Sequence, residues 1–219
     1  AWLEQGRQAG VTIRFNCDAT WRDGTLYLAG HEQPYSRLVI AAGAWSSQLF
    51  DLPLQAFRRH LFRCETAPLP KASPWLWDLD AEFYFRRETN ATLLSACDET
   101  VVSHPDPSAW PNQSETAHQD LHAKTLARWP SLCPLTLVTS WAGLRTLSPD
   151  DGFVLGEDPR DPRLLWCTGL GGHGVTCCQP AAQLAMHTLT GRNLTATETA
   201  LAQAHRAARF ATLRETWHS

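Results

Sequence analysis

The sequence has few lysines and no long apolar run. Only Lys71 and Lys124 are lysines, and the net charge of −3 is close to zero. A nucleic-acid surface needs clustered lysines and arginines to neutralise phosphates, whereas the arginines here are scattered, so we expect no nucleic-acid partner. No apolar stretch approaches the roughly 20 residues that cross a bilayer, and we therefore expect no membrane span.

Disulfide and metal patterns are also missing. The seven cysteines form no C-x-x-C pair and no histidine–cysteine spacing that is typical of a metal site. An odd number of cysteines without such a framework is typical of a reducing compartment, which favours a cytoplasmic location. The motifs G-x-S-x-G and H-E-x-x-H are absent as well, so nothing indicates a serine hydrolase or a zinc peptidase.

The hydrophobic pattern divides the chain into an outer body and an insert. Residues 58–147 are mostly predicted as strands, which indicates a sheet domain with one helix. The flanks, 1–57 and 148–219, alternate strands with helices and are predicted to form the outer domain. The fold class is therefore predicted as α/β with an α+β insert.

Four shorter patterns give specific expectations. Residues 114–129 form a predicted helix, with either Ser114 or Pro111 as its start signal, and it ends before a proline. An alternating run predicts a strand over 11–17, and Asp23-Gly24 predicts the turn of a hairpin. A further helix is predicted over 174–191, with a glycine at its end.

The stretch LLWCTGLGGHGVTCCQPAAQL, residues 164–184, contains a strand, a cluster of glycines and the start of a helix. A helix N-terminus presents free N–H groups and a partial positive charge, which stabilise negative or electron-rich ligand atoms. Glycines lack the Cβ atom that would keep a ligand away, and His173 stands among them as a candidate donor. The alternative is a tight turn whose glycines only permit close packing. The spacing matches neither G-x-G-x-x-G nor a P-loop.

Three segments, taken together, resemble a known family. They are VIAAGAWSSQL at 39–49, WAGLRTLSPDDGFVLGEDP at 141–159 and LLWCTGLGGHGVTCCQPAAQLAMHTLTG at 164–191. Their order and content are similar to those of the FAD-dependent family of D-amino-acid oxidase, glycine oxidase and monomeric sarcosine oxidase. The resemblance implies a Rossmann-like FAD-binding domain with an inserted antiparallel-sheet substrate domain, in agreement with the predicted layout.

One element of that family is missing from this sequence. The family begins with a βαβ unit that carries G-x-G-x-x-G and an acidic residue for the ribose, and neither is present here, so the FAD-binding domain is expected to be partial. The only methionine is Met186, and both observations lead us to expect further chain upstream of Ala1. The alternative is a non-catalytic fragment or subunit that needs the missing half from the parent chain or from a partner.

The resemblance also implies which residues contact the cofactor. They are Cys17 on the adenine side, the small residues Ala42 and Gly43 with Trp45 just beyond them, and Gly171, Gly172, His173, Gly174, Val175 and Thr176. Residues 171–175 are expected at the pyrimidine edge of the flavin. Donors at a helix N-terminus there would stabilise the negative charge of the reduced ring.

The resemblance assigns the substrate to another segment. Arg145 aligns with the arginine that holds the substrate carboxylate, and a guanidinium suits a carboxylate because two N–H groups can bind it at once. A surface arginine at the end of a strand is the alternative. Tyr84, Phe85 and Arg86 lie on the strand that is expected to wall the substrate pocket.

Two departures bear on the flavin chemistry. The sarcosine-oxidase branch attaches its flavin through a cysteine near this arginine, but residues 141–144 are Trp-Ala-Gly-Leu, so non-covalent FAD is expected. That branch also uses lysines near the flavin, and Thr176 stands where one would be. The electron acceptor is therefore left open between O2 and another carrier.

The resemblance implies an FAD-dependent oxidoreductase that acts on a small-molecule amine or amino acid. The expected reaction is oxidation of the C–N bond by hydride transfer to flavin N5. A lyase or demethylase on the same scaffold stays open, because fold does not determine chemistry.

Overall fold

The computed structural model describes residues 2–49, 52–66, 69–103 and 114–210. The elements, in chain order, are α1 (Trp2–Gln8), β1 (Ala19–Arg22), β2 (Thr25–Leu28), β3 (His31–Gln33), β4 (Leu38–Ile40), α2 (Ser46–Leu49), β5 (Gln55–Glu65), β6 (Leu76–Asp78), β7 (Phe83–Arg87), β8 (Thr92–Ser95), β9 (Thr100–Val102), α3 (Glu115–Arg128), β10 (Thr136–Leu147), β11 (Val154–Glu157), β12 (Leu164–Thr168), α4 (Gly174–Ala185), α5 (His187–Thr190) and α6 (Ala196–Ala204). Within the described residues the strands form two small sheets and one large sheet.

A small mixed sheet forms the centre of the α/β body. Its strand order is β11-β12-β4, with β12 parallel to β4 and antiparallel to β11. Helix α4 packs against β11 and β12. Trp166 of β12 is fully buried, and its indole N–H donates to Asp158 Oδ2 at 2.9 Å, so the one polar atom of the ring is satisfied. A parallel strand pair covered by a helix is the arrangement expected of an α/β fold.

The large sheet has the order β10-β5-β8-β7-β6, and β9 also pairs with β5. Every pairing in it is antiparallel, as expected of the insert. Helix α3 covers one face, and the buried core between them consists of Phe62, Cys64, Phe83, Phe85, Leu94, Ala96, Ala117, Leu121 and Leu132. The antiparallel sheet is confirmed, whereas the domain boundaries at 57 and 148 stay a prediction.

Local signals explain several element ends. Ser114 precedes α3, and its hydroxyl accepts a hydrogen bond from Ala117 N at 3.3 Å, as its position before the helix predicts. Asp23 and Gly24 have φ of 49° and 82°, the left-handed pair that a two-residue hairpin turn requires between β1 and β2.

The predicted strand over 11–17 is wrong. The described backbone there is irregular, and Asn16 has a left-handed φ of 51°, which interrupts an extended segment. The apolar Val11 and Phe15 are exposed, so the alternating pattern faces no core in this structure. The predicted helix over 174–191 is also divided, because α4 ends at Ala185 and α5 begins at His187.

A polar contact joins the turn after β10 to the end of the described chain. The Asp150 carboxylate accepts hydrogen bonds from Arg209 Nε at 2.8 Å, Ser148 Oγ at 2.8 Å and Gly152 N at 3.1 Å. These bonds, chiefly that from Arg209, lower the pKa of Asp150 below its usual value. Asp150 therefore has a structural role in this turn.

The core between α3 and the large sheet predicts a large cost for truncating Leu121. Leu121 is fully buried, so Leu121→Ala is expected to lower the free energy of unfolding by about 2–5 kcal/mol through lost burial and an added cavity. Leu126→Ala on the same helix is the matched control, because Leu126 is 55% exposed. Denaturant titration of both variants measures the difference. Equal losses in the two variants would contradict the placement of α3.

The depressed pKa of Asp150 predicts acid sensitivity. Its folded pKa lies below the unfolded value of about 3.9, so its contribution to stability is present at neutral pH and is lost as the pH falls through the folded pKa. Asp150→Asn is therefore expected to destabilise the protein at pH 7 by more than in strong acid. Denaturation midpoints measured across this pH range test the claim, and a constant difference would refute it.

Candidate active site

The two segments expected to contact a cofactor lie side by side. Because β4 and β12 are parallel neighbours, their C-terminal ends share one edge of the sheet. The small residues Ala42 and Gly43 form a corner after β4, which we call the small-residue corner. Ser46 follows it, is buried and hydrogen-bonds through Oγ to Thr168 Oγ1 at 3.0 Å. Thr168 Oγ1 also lies 3.4 Å from the carbonyl oxygen of Gly43. The C-terminal edge of parallel strands is where α/β folds bind ligands.

The N-terminus of α4 opens at this edge. His173 is its N-cap residue, but the His173 side chain makes no capping hydrogen bond. The first hydrogen bond of the helix runs from Cys177 N to His173 O at 2.9 Å. The N–H groups of residues 174–176 therefore have no acceptor within the helix. Val175 is 93% exposed. The helix therefore presents donors and a partial positive charge on an accessible surface.

The glycine cluster is bound to β10 of the large sheet. Gly171 N donates to Thr146 O at 3.0 Å. Gly172 has a φ of 91°, and a Cβ atom there would lie 2.7 Å from Arg145 Nε. Glycine adopts this φ without strain, and a Cβ atom there would have to displace the end of the Arg145 side chain. The structure therefore brings the predicted cofactor segment and the predicted substrate arginine into contact.

Arg145 lies on the sheet face opposite α3. In the antiparallel pair of β10 and β5, Arg145 stands opposite Phe57 and Gly143 stands opposite Arg59, so Arg145 and Arg59 are diagonal neighbours on one face. Gly143 has no side chain to separate them. Burial, and next the charge of Arg59, lower the pKa of Arg145. Among the described residues no carboxylate lies within ion-pair distance of Arg145.

The three residues expected to wall the pocket divide between the two sheet faces. Tyr84 faces the same side as Arg145, and burial, followed by the nearby Cys97, raises the pKa of its phenol. A raised pKa keeps the phenol protonated at neutral pH, so it can donate a hydrogen bond. Phe85 lies in the core under α3, away from the site. Arg86 lies on the Tyr84 face but stacks on Trp75, with 4.7 Å from its guanidinium carbon to the ring centre.

Arg59 and His60 are site-supporting residues that the sequence did not reveal. The Arg59 guanidinium pairs with Glu99, and its Nε donates to Asp98 O at 3.3 Å. The buried His60 ring hydrogen-bonds through Nδ1 to Asp98 Oδ2 at 2.7 Å. Two consecutive residues of β5 therefore hold the segment after β8. The available signal was the charged triplet in residues 58–60, at the start of the region that is mostly predicted as strands.

Of the other predicted cofactor residues, two lie near the glycine cluster or Arg145 and one has no shown link to either. Trp45 ends a short 3-10 turn (Gly43–Trp45) that contacts β10, so it lies beside the strand of Arg145. Thr176 donates through Oγ1 to His173 O at 2.9 Å, within the first turn of α4. Cys17 lies in the irregular segment before β1, and no hydrogen bond of the described residues joins it to the glycine cluster. Its assignment to the adenine side stays a prediction.

Taken together, these residues fit a large planar ligand with electron-rich atoms. A Cβ atom at Gly43 would meet nothing within 4 Å, so the corner after β4 is open. The N-terminus of α4 follows directly on the glycine cluster, and Arg145 lies against Gly172 of that cluster. In the described ranges no group of three or more His, Cys, Asp or Glu side chains could hold a metal ion. No helix in those ranges combines the length and the apolar character of a membrane span.

Comparison with known proteins points to one family. The sequence profile described as FAD dependent oxidoreductase matches residues 1–187. None of the curated proteins matches the chain. Among solved structures, iminodiacetate oxidase from Chelativorans sp. has a TM-score of 0.71 at 19% identity, covering 87% of this chain and 53% of that chain. Glycine oxidase from Geobacillus kaustophilus has a TM-score of 0.65 at 21% identity, covering 78% of this chain and 46% of that chain.

A third similar structure is L-amino acid deaminase from Proteus myxofaciens in complex with anthranilate. It has a TM-score of 0.71 at 15% identity, covering 95% of this chain and 58% of that chain. At such identities the likeness shows the fold. The chain spans about half the length of these similar structures.

The contact between Gly172 and Arg145 predicts a specific effect of Gly172→Ala. The added methyl group would displace the Arg145 side chain, so binding of a small carboxylate such as benzoate is expected to weaken by about tenfold or more. Gly30→Ala is the matched control, because Gly30 has a φ of 82° and open space around it. Both variants strain the backbone by about 1–3 kcal/mol.

Calorimetric titration with benzoate separates the two effects. Weaker binding is expected only in the Gly172→Ala variant, while both variants lose stability. Unchanged benzoate binding in Gly172→Ala would show that Arg145 is not held against the glycine cluster.

Proposed function

The chain belongs to the family of FAD-dependent oxidoreductases, and from this we propose that its protein oxidises the C–N bond of an amino acid or secondary amine. The observation that carries the proposal is the position of Arg145. It is a half-buried guanidinium with no carboxylate partner among the described residues, and it lies against the glycine cluster at the N-terminus of α4. A buried cation without a counterion is stabilised by an anionic ligand.

We propose that residues 42–45 and 171–176 line the flavin. When bound, FAD supplies a two-electron acceptor, so that a hydride leaves the substrate carbon and the resulting imine is hydrolysed in water. The α4 N–H groups stabilise negative charge at the ring edge that they face. The attachment is proposed to be non-covalent. Burial raises the pKa of Cys97, which lies near Arg145, so its thiol stays protonated and is a poor nucleophile.

The residues around Arg145 are proposed to hold the substrate. Arg145 binds the carboxylate with two parallel hydrogen bonds, and the protonated Tyr84 hydroxyl donates a third. Arg59 adds positive charge that Glu99 only partly offsets. We assign no general base, because a substrate amine that enters neutral needs none. The acceptor of the electrons is O2 or another carrier, and the cytoplasm is the proposed location.

A second candidate is a fragment or subunit that binds FAD only together with a G-x-G-x-x-G unit from elsewhere. The observation that favours it is the free edge of β4, which has a strand neighbour on one side only among the described strands. Val39 on that strand is 40% exposed. An unpaired edge beside exposed apolar residues is a docking surface for a further strand. Titration of the 219-residue chain with FAD tests it, because tight binding by the chain alone would exclude this candidate.

The proposed carboxylate contact predicts the kinetics of Arg145→Gln in the flavin-loaded protein. Loss of the charged partner is expected to lower kcat/KM for an amino acid by about a hundredfold or more. The same variant is expected to leave kcat/KM for the amine that lacks the carboxylate almost unchanged. Arg128→Gln is the control, because Arg128 pairs with Asp78 on the other side of the large sheet. An equal loss for both substrates would contradict carboxylate binding by Arg145.

A further inference from the structure

A gap lies on β10 between the side chains of Arg145 and Trp141. Alternate residues of a strand point to the same face, so Gly143 shares the face of these two residues, which is turned away from α3. Gly143 has no side chain, and a Cβ atom built on it would meet nothing within 4 Å. The Cα atoms of Arg145 and Trp141 are about 13 Å apart, which is four residues of strand. We call the open space between their side chains the Gly143 gap.

Trp141 lies in the same row of the sheet as Tyr84. Leu61 stands opposite Trp141 and, in the register of β5 with β8, beside Ser95, which stands opposite Tyr84. Residues opposite each other in antiparallel strands point to the same face, so these four side chains share the face of Arg145. Burial has the largest effect on the pKa values of Arg145 and Tyr84, but each of the two also acts on the pKa of the other. The row that contains Trp141 therefore borders the Arg145 site.

The wall of the gap away from Arg145 is apolar and accessible. Trp141 is 38% exposed, and Leu61 beside it is half-buried. Among the described strands, β10 has β5 as its one neighbour in the sheet. The turn Gly43–Trp45, which belongs to the proposed flavin corner, contacts β10 as well. An indole ring offers a large, flat apolar surface to a ligand, and this one stands on the strand that carries the proposed carboxylate contact.

The polar groups beside the gap already have partners. Arg59 stands opposite Gly143 and pairs with Glu99. The buried Ser95 hydroxyl donates to the carbonyl oxygen of His60 at 2.9 Å. A charged side chain on a ligand would therefore compete with Glu99 for Arg59 or lose its hydration without a partner, whereas an apolar side chain gains from leaving water. The charges around the gap thus favour a ligand with one carboxylate and an uncharged remainder.

We propose that the Gly143 gap binds an apolar side chain of the substrate and that Trp141 determines this specificity. The substrate is then an amino acid whose side chain is aromatic or a long aliphatic chain without charge. Its carboxylate is held at Arg145, and its side chain passes over Gly143 and packs on the Trp141 indole. This inference rests on the proposed function, because Arg145 supplies the carboxylate contact. Trp141 acts through binding and takes no part in the redox chemistry.

The test uses unreactive carboxylates and calorimetry on the purified protein with FAD added. The probes are propionate, then phenylacetate, 3-phenylpropionate and 4-phenylbutyrate, with succinate, glutarate and adipate as charged counterparts. The best phenyl probe is expected to bind about tenfold tighter than propionate or more, because its ring is buried against the indole. The dicarboxylates are expected to bind no tighter than propionate. A dicarboxylate that binds tighter than every phenyl probe would contradict the apolar character of the gap.

Variants assign the effect to the gap. Trp141→Ala is expected to abolish the advantage of the phenyl probes, whereas the matched control Trp75→Ala keeps it, because Trp75 is 75% exposed beside the strand at the other edge of the sheet. Gly143→Ala is expected to weaken the phenyl probes by about tenfold and to change propionate binding little, since a methyl group occupies space that the ligand needs. The protein itself has room for that methyl group, so this loss does not arise from misfolding.

The failure of this inference differs from the failure of the proposed function. Phenyl probes that bind no tighter than propionate at any length overturn the Gly143 gap, and that result is expected if another protein segment or a second copy of the chain covers Trp141. A preference for phenyl probes that survives Trp141→Ala overturns it as well. Propionate and phenyl probes that both bind unchanged in Arg145→Gln overturn the carboxylate site of the proposed function instead.

Discussion

The packing of Gly172 against the Arg145 side chain is the contact on which the site depends. It joins the strand–glycine–helix segment of the α/β body to β10 of the large sheet, and Gly171 N reinforces it by bonding Thr146 O. A Cβ atom at Gly172 would push the guanidinium away. The positive end of α4 and the uncompensated charge of Arg145 thus meet at one place. A nearby anion would stabilise two positive features that lie this close together.

A second set of contacts keeps this meeting point rigid. The parallel pairing of β4 with β12 places the small-residue corner beside the glycine cluster, and the bond between Ser46 and Thr168 fixes the two strand ends together. On the large sheet, Arg59 and His60 hold the segment after β8 through Glu99 and Asp98. The sheet face that carries Arg145 therefore has its charges fixed by the fold, which would reduce the cost of binding an anion there.

Much of the fold followed from the sequence because local signals and core pattern agree. Helix α3 begins at its Ser114 cap, and the Asp23-Gly24 turn joins two strands, as their residue types require. The prediction of a strand over 11–17 was wrong because an alternating pattern does not reveal whether the segment has a neighbouring strand or a core to pack against. For the site, the glycines and Arg145 were assigned through the family resemblance, and the structure brings them together, while their roles stay a prediction. Arg59 was missed because its role depends on Gly143 lying opposite on another strand, a pairing that no local pattern encodes.

In the proposed site, the open edge between Gly43 and the N-terminus of α4 holds a flavin that is reduced by an amino acid bound at Arg145. The most direct measurement is the visible absorbance of the FAD-loaded protein, titrated without oxygen with N-methyl and D-amino acids. The flavin band is expected to bleach with at least one of them in the wild-type protein, and far more slowly in Arg145→Gln. A bound flavin that no amino acid bleaches would contradict the substrate assignment, and failure to bind FAD in any form of the protein would contradict the site.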